Sequence, residues 1–151
     1  MEQVAAVCYR LINNSTEYLL VRTHSGRWTF PKGKVEPGEE RWCAAQREAF
    51  EEAGVTGVVE HESFTTYIHS KKEWEDTERE SRVKAFLLDV KKTGIPEEQH
   101  RSPSWFSFLT ALAALSEDRP HKYAEELRRV LHEAEEKIIR PRKNHFKKFL
   151  D

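Results

Sequence analysis

Apolar residues in this chain fall into short runs separated by turn-forming residues, and two stretches keep a longer helical period. Residues 3–12, QVAAVCYRLI, form an apolar run of mixed period that stops at NNST, a turn signal. EYLLVRT at 17–23 follows, so the pair reads as a hairpin or two neighbouring strands. Residues 24–40 hold Gly26, Gly33, Gly38, Pro31 and Pro37 and read as a long loop, which in a small domain usually carries function. From about Glu40 to Ala53 the period turns helical. Trp42, Ala45, Ala49 and Ala53 make an apolar stripe with Gln46 and Phe50 on its edge, and Gly54 ends the helix. On that count Glu48, Glu51 and Glu52 are expected to centre on the side away from the stripe.

Further along, residues 55–70 contain strand-like pieces, and KKEWEDTERES at 71–81 reads as a charged loop or an arm with helical tendency. In VKAFLLDVKK at 83–92, Val83, Ala85 and Leu87 point one way and Lys84, Phe86 and Leu88 the other, as in a strand. SWFSFLTALAALSEDRP is expected to end in a short helix. Residues 121–138 form an amphipathic helix with Tyr123, Leu127, Val130, Leu131 and Ala134 on one face. This order of elements suggests an α/β sandwich with a mixed sheet: one domain over 1–140 and a basic tail at 141–151.

Composition narrows the function classes. The 151 residues suit one hydrophobic core; 38% are apolar and 34% charged. The net charge of −1 gives no global field toward nucleic acid or membrane. Cys8 and Cys43 form no framework and read as small buried hydrophobes of a reducing compartment. The N-terminus does not read as a secretory signal, and no apolar run approaches the roughly 18 residues of a membrane span. A cytoplasmic protein is expected.

The chemistry gathers on the first helix. Glu48, Glu51 and Glu52 stand at i, i+3 and i+4, with Cβ atoms roughly 5–6 Å apart. Three ionised carboxylates so close repel one another, and a hard divalent cation relieves that. Magnesium prefers one or two carboxylates plus phosphate oxygens, so the spacing points to phosphate chemistry. Arg47 can orient a carboxylate by bidentate hydrogen bonds. Glu39, just before the helix, can cap it or ligate. The Gly33–Gly38 loop can bring backbone carbonyls to the same point.

From Gly33, five residues lead to Glu39 and seven more to Arg47-Glu48; Ala49, Glu51-Glu52, Gly54 and Val55 then follow at fixed spacing. This resembles the Nudix box, with every charged and glycine position filled and Ala49 in place of a larger aliphatic residue. The resemblance covers about 23 residues. It implies an α/β/α sandwich that hydrolyses nucleoside diphosphates linked to another group, using Mg2+ or Mn2+ and a water nucleophile. It implies Glu48, Glu52 and the Lys32 carbonyl as metal ligands, Glu51 as a ligand or the general base, and Arg47 as the residue that orients them. Gly33, Glu39 and Gly54 take structural parts.

The run RWTFPKGKVEPGEE at 27–40 is similar to that of diadenosine polyphosphate hydrolases, which implies a substrate such as diadenosine tetraphosphate. It is also similar to RNA 5′-pyrophosphohydrolases and diphosphoinositol polyphosphate hydrolases. The latter place basic residues on the first strand, where this chain has Glu2-Gln3-Val4. Lys32, Lys34, Arg10, Arg22 and Lys84 are candidates to hold the phosphate chain. Tyr67, Phe86 and Trp74 are candidates to stack a base, with Phe86 read first as core. Trp28 is expected to prop the loop, and His24 and His69 to lie at the surface. Some proteins of the family bind nucleotides or proteins without hydrolysis, but such modules lose box glutamates that are kept here. The expected partner is a small-molecule nucleotide and not a membrane, with RNA contact by the tail less favoured, in a monomer or homodimer.

Overall fold

The computed structural model describes residues 2–72 and 78–150; at positions 71, 72, 78 and 141–150 it describes the backbone alone. The strands are β1 (Gln3–Ile12), β2 (Ser15–Arg22), β3 (Trp28–Thr29), β4 (Lys32–Lys34), β5 (Val55–Val59), β6 (Thr65–Lys72), β7 (Glu78–Thr93) and β8 (Ser104–Ser107). The helices are α1 (Arg41–Ala53), α2 (Phe108–Ser116) and α3 (His121–Leu150).

β1 and β2 form the expected hairpin, with Cys8 opposite Leu19 and Ile12 opposite Ser15. Asn13 and Asn14 both have positive φ, 49° and 66°, the pattern of a two-residue turn matched to strand twist. β1 also pairs in parallel with β7, from Gln3–Val83 to Tyr9–Asp89. The sheet is therefore mixed, and β1 lies at its centre with both faces buried. Val4, Ala6 and Cys8 enter the core under α1, while Ala5 and Val7 enter the core under α2 and α3. A strand covered on both faces has no reason to alternate, which accounts for its mixed period. On β7 the two faces divide as expected: Val83, Ala85 and Leu87 pack toward α2 and α3, Phe86 and Leu88 toward α1. Helices on both sides of a mixed sheet make the expected α/β/α sandwich.

The 24–40 stretch is more ordered than a loop. It contributes β3, which pairs with β2, and β4, which pairs with the first residues of β1. β1 thus meets β2 along one half of an edge and β4 along the other. At the split, the Ala6 N–H donates to the Pro31 carbonyl at 2.9 Å. The charged 71–81 stretch also differs: its two ends are the paired strands β6 and β7. Trp74 lies outside the described residues.

Cys8 is buried and Cys43 half-buried, and the two are unpaired. Among the described residues no helix is long and apolar enough to cross a membrane.

Candidate active site

α1 packs Ala44, Ala45, Ala49 and Ala53 against the sheet, so small side chains bring its backbone close to β1 and β4. The periodicity expectation fails in two places. Phe50 is exposed, and Ala44 takes the buried position. Glu48 and Glu52 are on the buried side, with 9% and 3% of their surfaces accessible. Glu52 stands seven residues after Ala45, almost two full turns, so it shares that stripe. The helix closes at Gly54, whose φ of 70° suits glycine and whose N–H donates to Phe50 O at 2.9 Å. A Cβ there would also meet the Gly94 carbonyl at 2.3 Å.

Room for the buried carboxylates comes from β4. A Cβ on Gly33 would lie 2.2 Å from Oε1 of Glu48, so only glycine leaves the carboxyl its place. The Lys32 N–H donates to Oε1 of Glu52 at 3.4 Å, which puts the Lys32 peptide at the same point. Gly33→Ala is expected to cost about 1 kcal/mol of stability or less, because the displaced atoms end a flexible side chain. It should still lower kcat at least tenfold by turning Glu48 away. Melting and turnover measured together check this.

Arg47 ties the cluster. Its guanidinium makes a two-pronged contact to Glu39 at 2.8 and 3.0 Å and donates to Glu48 at 2.9 Å, Glu51 at 3.4 Å and the Lys34 carbonyl at 3.0 Å. Arg47 holds the Glu39 carboxyl below the usual carboxylate range, and the glutamates in turn push the Arg47 pKa higher still. Glu39 does not cap α1; the N-cap is Glu40, without a side-chain cap bond. Glu48 and Glu52 are both shifted upward, chiefly because burial penalises the charged form. Glu52, the more buried, rises to about 8; Arg101 opposes the shift, and the neighbouring Glu48 carboxylate adds to it.

The three glutamates do not converge as one cage. Arg47 draws on Glu51, and among the described residues no group of three or more His, Cys, Asp or Glu side chains is arranged to hold a metal. What the structure offers is a buried pair of oxygen donors, raised in pKa and facing a peptide that glycine leaves open. That donor set fits a hard cation taking one or two carboxylates and completing its shell with phosphate oxygens and water.

Beside Lys32 opens a cavity of about 370 Å³. Its cationic lining is Arg27, Lys32, Arg101 and Arg119, with His24 and His69; Gln3, Ser70 and Ser81 add polar groups. Sequence reading missed Arg27, Arg101 and Arg119. Arg101 comes from the segment after β7 and Arg119 from the turn after α2, and no local pattern marks either. His24 is exposed, as expected, and His69 half-buried, and both also line this cavity.

The other sequence candidates lie elsewhere. Tyr67 is buried in the core, edge-on to Phe30 at 6.3 Å, and cannot stack a base from there. Phe86 is core, as first read. Arg22 lies over the Trp28 ring at 4.0 Å and donates to Gly26 O at 2.6 Å, closing the turn before β3. Trp28 packs edge-on to Phe106 at 5.0 Å and props this turn as expected. Arg10 pairs with Glu17 at 2.8 Å and covers Trp105. Lys34 is exposed and only its carbonyl joins the cluster. Lys84 faces a separate shallow groove with Trp42 and His61, whose rings stack at 4.0 Å.

Comparison with known proteins agrees with this architecture. The chain matches the NUDIX domain over residues 1–134. It is 32% identical over 103 residues to an asymmetrical bis(5'-nucleosyl)-tetraphosphatase of Caenorhabditis elegans, 66% of this chain and 72% of that one. It is 31% identical over 137 residues to diphosphoinositol polyphosphate phosphohydrolase 2 of Rattus norvegicus, 85% of this chain and 70% of that one. A C. elegans Ap4A hydrolase binary complex superposes with a TM-score of 0.67 at 22% identity, covering 91% of this chain and 96% of that one. At that identity the superposition speaks for the fold. The chain belongs to the Nudix family, and with every charged position of the box in place it is a Nudix pyrophosphohydrolase.

Proposed function

We propose that this chain is a metal-dependent hydrolase that cleaves a phosphoanhydride bond of a nucleoside polyphosphate, a diadenosine polyphosphate such as diadenosine tetraphosphate being the foremost candidate. One observation carries the reading: a buried Glu48–Glu52 pair opens, through the Lys32 peptide, onto a cavity lined by guanidinium and ammonium groups. Acidic oxygens beside a cationic cavity suit a cation and a phosphate chain bound together. The similarity to the nematode tetraphosphatase supports the choice of substrate.

Glu48, Glu52 and the Lys32 carbonyl would hold Mg2+ or Mn2+. Bound there, the ion would neutralise charge on the phosphoryl oxygens and ease the ionisation of water. Arg47 sets the orientation of Glu48 and Glu51 by its hydrogen bonds. Glu51, less buried than the other two, is the carboxylate left to accept a proton from the attacking water, a contribution of order 10²–10⁴ in rate. The cationic lining orients the polyphosphate for in-line attack.

A second reading, a diphosphoinositol polyphosphate substrate, draws support from the cavity itself. Among the described residues its lining has no Phe, Tyr or Trp to stack a base. The Glu2 charge, adverse to so anionic a ligand if left alone, is paired with Arg41 at 2.7 Å. A product-release assay with magnesium separates the readings. Diadenosine tetraphosphate cleaved with ATP among the products supports the first, and turnover of diphosphoinositols alone supports the second. Turnover of triphosphorylated or capped RNA ends alone would move the assignment to RNA 5′-pyrophosphohydrolysis. Silence on all of these, with nucleotide binding retained, would make the chain a nucleotide-binding module.

A further inference from the structure

Arg119 follows α2, and its guanidinium is largely buried. It donates to the Leu115 carbonyl at 2.5 Å and the Trp28 carbonyl at 2.8 Å. Among the described residues no carboxylate lies within ion-pair distance of it, nor of Arg27 on the turn before β3. The charge is therefore uncompensated: burial and repulsion from Arg27 pull the Arg119 pKa down to about 10. A half-buried charge without a counterion is unfavourable, and an anion entering the cavity would compensate it. Two carbonyls use only part of the guanidinium's set of N–H donors. The Tyr67 hydroxyl, within electrostatic range of Arg119, is buried with no hydrogen-bond partner among the described residues. Both arginines line the cavity that begins at Lys32.

We propose that Arg119 and Arg27 form an anion subsite in this cavity and hold a phosphate group of the substrate other than the one attacked. The proposal rests on the hydrolase reading above and adds a basis for choosing among substrates. Lys32 touches Glu52 through its backbone and is one of the residues lining the cavity, so the reacting phosphoryl group belongs beside it. A substrate that carries further phosphates can then engage the arginines as well as Lys32. Selection follows phosphate number, and the guanidinium forks recognise phosphate oxygens in bidentate fashion. The identity of the base counts for little.

The test uses the full chain and inorganic tripolyphosphate, titrated by calorimetry without divalent ions. Wild-type protein is expected to bind, and Arg27→Gln and Arg119→Gln each to weaken binding tenfold or more. Lys137→Gln, at an exposed lysine paired with Glu60, is the control and should bind as wild type. Arg119 also ties two backbone carbonyls, so its variant could fail to fold. No hydrogen bond or ion pair of the Arg27 side chain is seen among the described residues, and that variant decides the matter alone.

In hydrolysis, kcat/KM of the wild type should rise with the number of phosphates. Arg27→Gln should flatten that rise through KM with kcat retained, and Arg119→Lys should restore part of what Arg119→Gln loses. Displacement of tripolyphosphate by adenosine tetraphosphate or by inositol hexakisphosphate shows whether a linear or a compact array of phosphates fits better; either sustains the subsite. Wild-type protein that does not bind tripolyphosphate, or an Arg27→Gln variant that binds it equally well, overturns the subsite. Absence of all hydrolysis alongside Arg27-dependent binding would overturn the hydrolase reading and leave the subsite standing.

Discussion

Glu52→Gln is expected to lower kcat by two to four orders of magnitude at saturating magnesium, the range of a lost essential carboxylate. The same change should stabilise the metal-free protein. Glu52 is 3% accessible and holds its proton up to about pH 8, against 4.5 in a free chain. Between those values the folded state binds more protons than the unfolded state. Stability from this group is therefore full below about pH 4.5 and is lost as pH rises through about 8. At pH 8 the metal-free Glu52→Gln variant should be more stable by about 1–3 kcal/mol, and the wild type should gain stability as pH falls from 8 toward 6 while the variant gains less. A divalent ion favours the ionised carboxylates, so adding magnesium to the wild type should release protons and raise Tm. Near-normal turnover by the variant would remove Glu52 from the machinery. Calorimetric melting across pH, with and without magnesium, reads the rest.

Arg47→Gln is expected to damage both stability and turnover. The guanidinium is the shared partner of Glu39, Glu48 and Glu51 and also reaches the Lys34 carbonyl. Its side chain is 24% exposed, and those of Glu39 and Glu48 are 16% and 11% exposed, so solvent screens these pairs only in part. Removing the cation leaves three carboxylates facing one another and a carbonyl without its donor. A loss of about 2–3 kcal/mol follows. Because Glu48 and Glu51 lose the contact that orients them, kcat should fall at least a hundredfold even below the melting temperature. Arg47→Lys keeps a charge but not the fork, and should recover stability better than rate. A denaturant titration beside turnover at low temperature separates the two effects; unchanged turnover in a folded Arg47→Gln protein would contradict the orienting role.

The local chemistry was legible because it is written at short range. Gly33, Glu39, Arg47, Glu48, Glu51, Glu52 and Gly54 occur within one loop and one helix, and the structure brings most of them within hydrogen-bond reach of Arg47 or Lys32. Strands β1, β2 and β7 and the helices were legible for the same reason, through turn residues and period. Misreadings arose where burial overrides period. The stripe count put the glutamates opposite the apolar face, yet Glu48 and Glu52 are buried, and Gly33 on another strand leaves space for Glu48. Tyr67 looked like a stacking surface, and α3 and Phe30 enclose it in the core.

From its order of residues alone this chain determines its class of fold, the helix that carries the acids and the arginine that binds them, since hydrogen-bonded turns, caps and i, i+4 neighbours are local. Which cations face those acids was decided only by the tertiary structure. Arg27, Arg101 and Arg119 come from three connections far apart in the chain and meet at one cavity. A charge carries no sign of its future neighbours in its own sequence window. Only packing of the sheet between its helices sets which charges are brought together and how far water is kept from them.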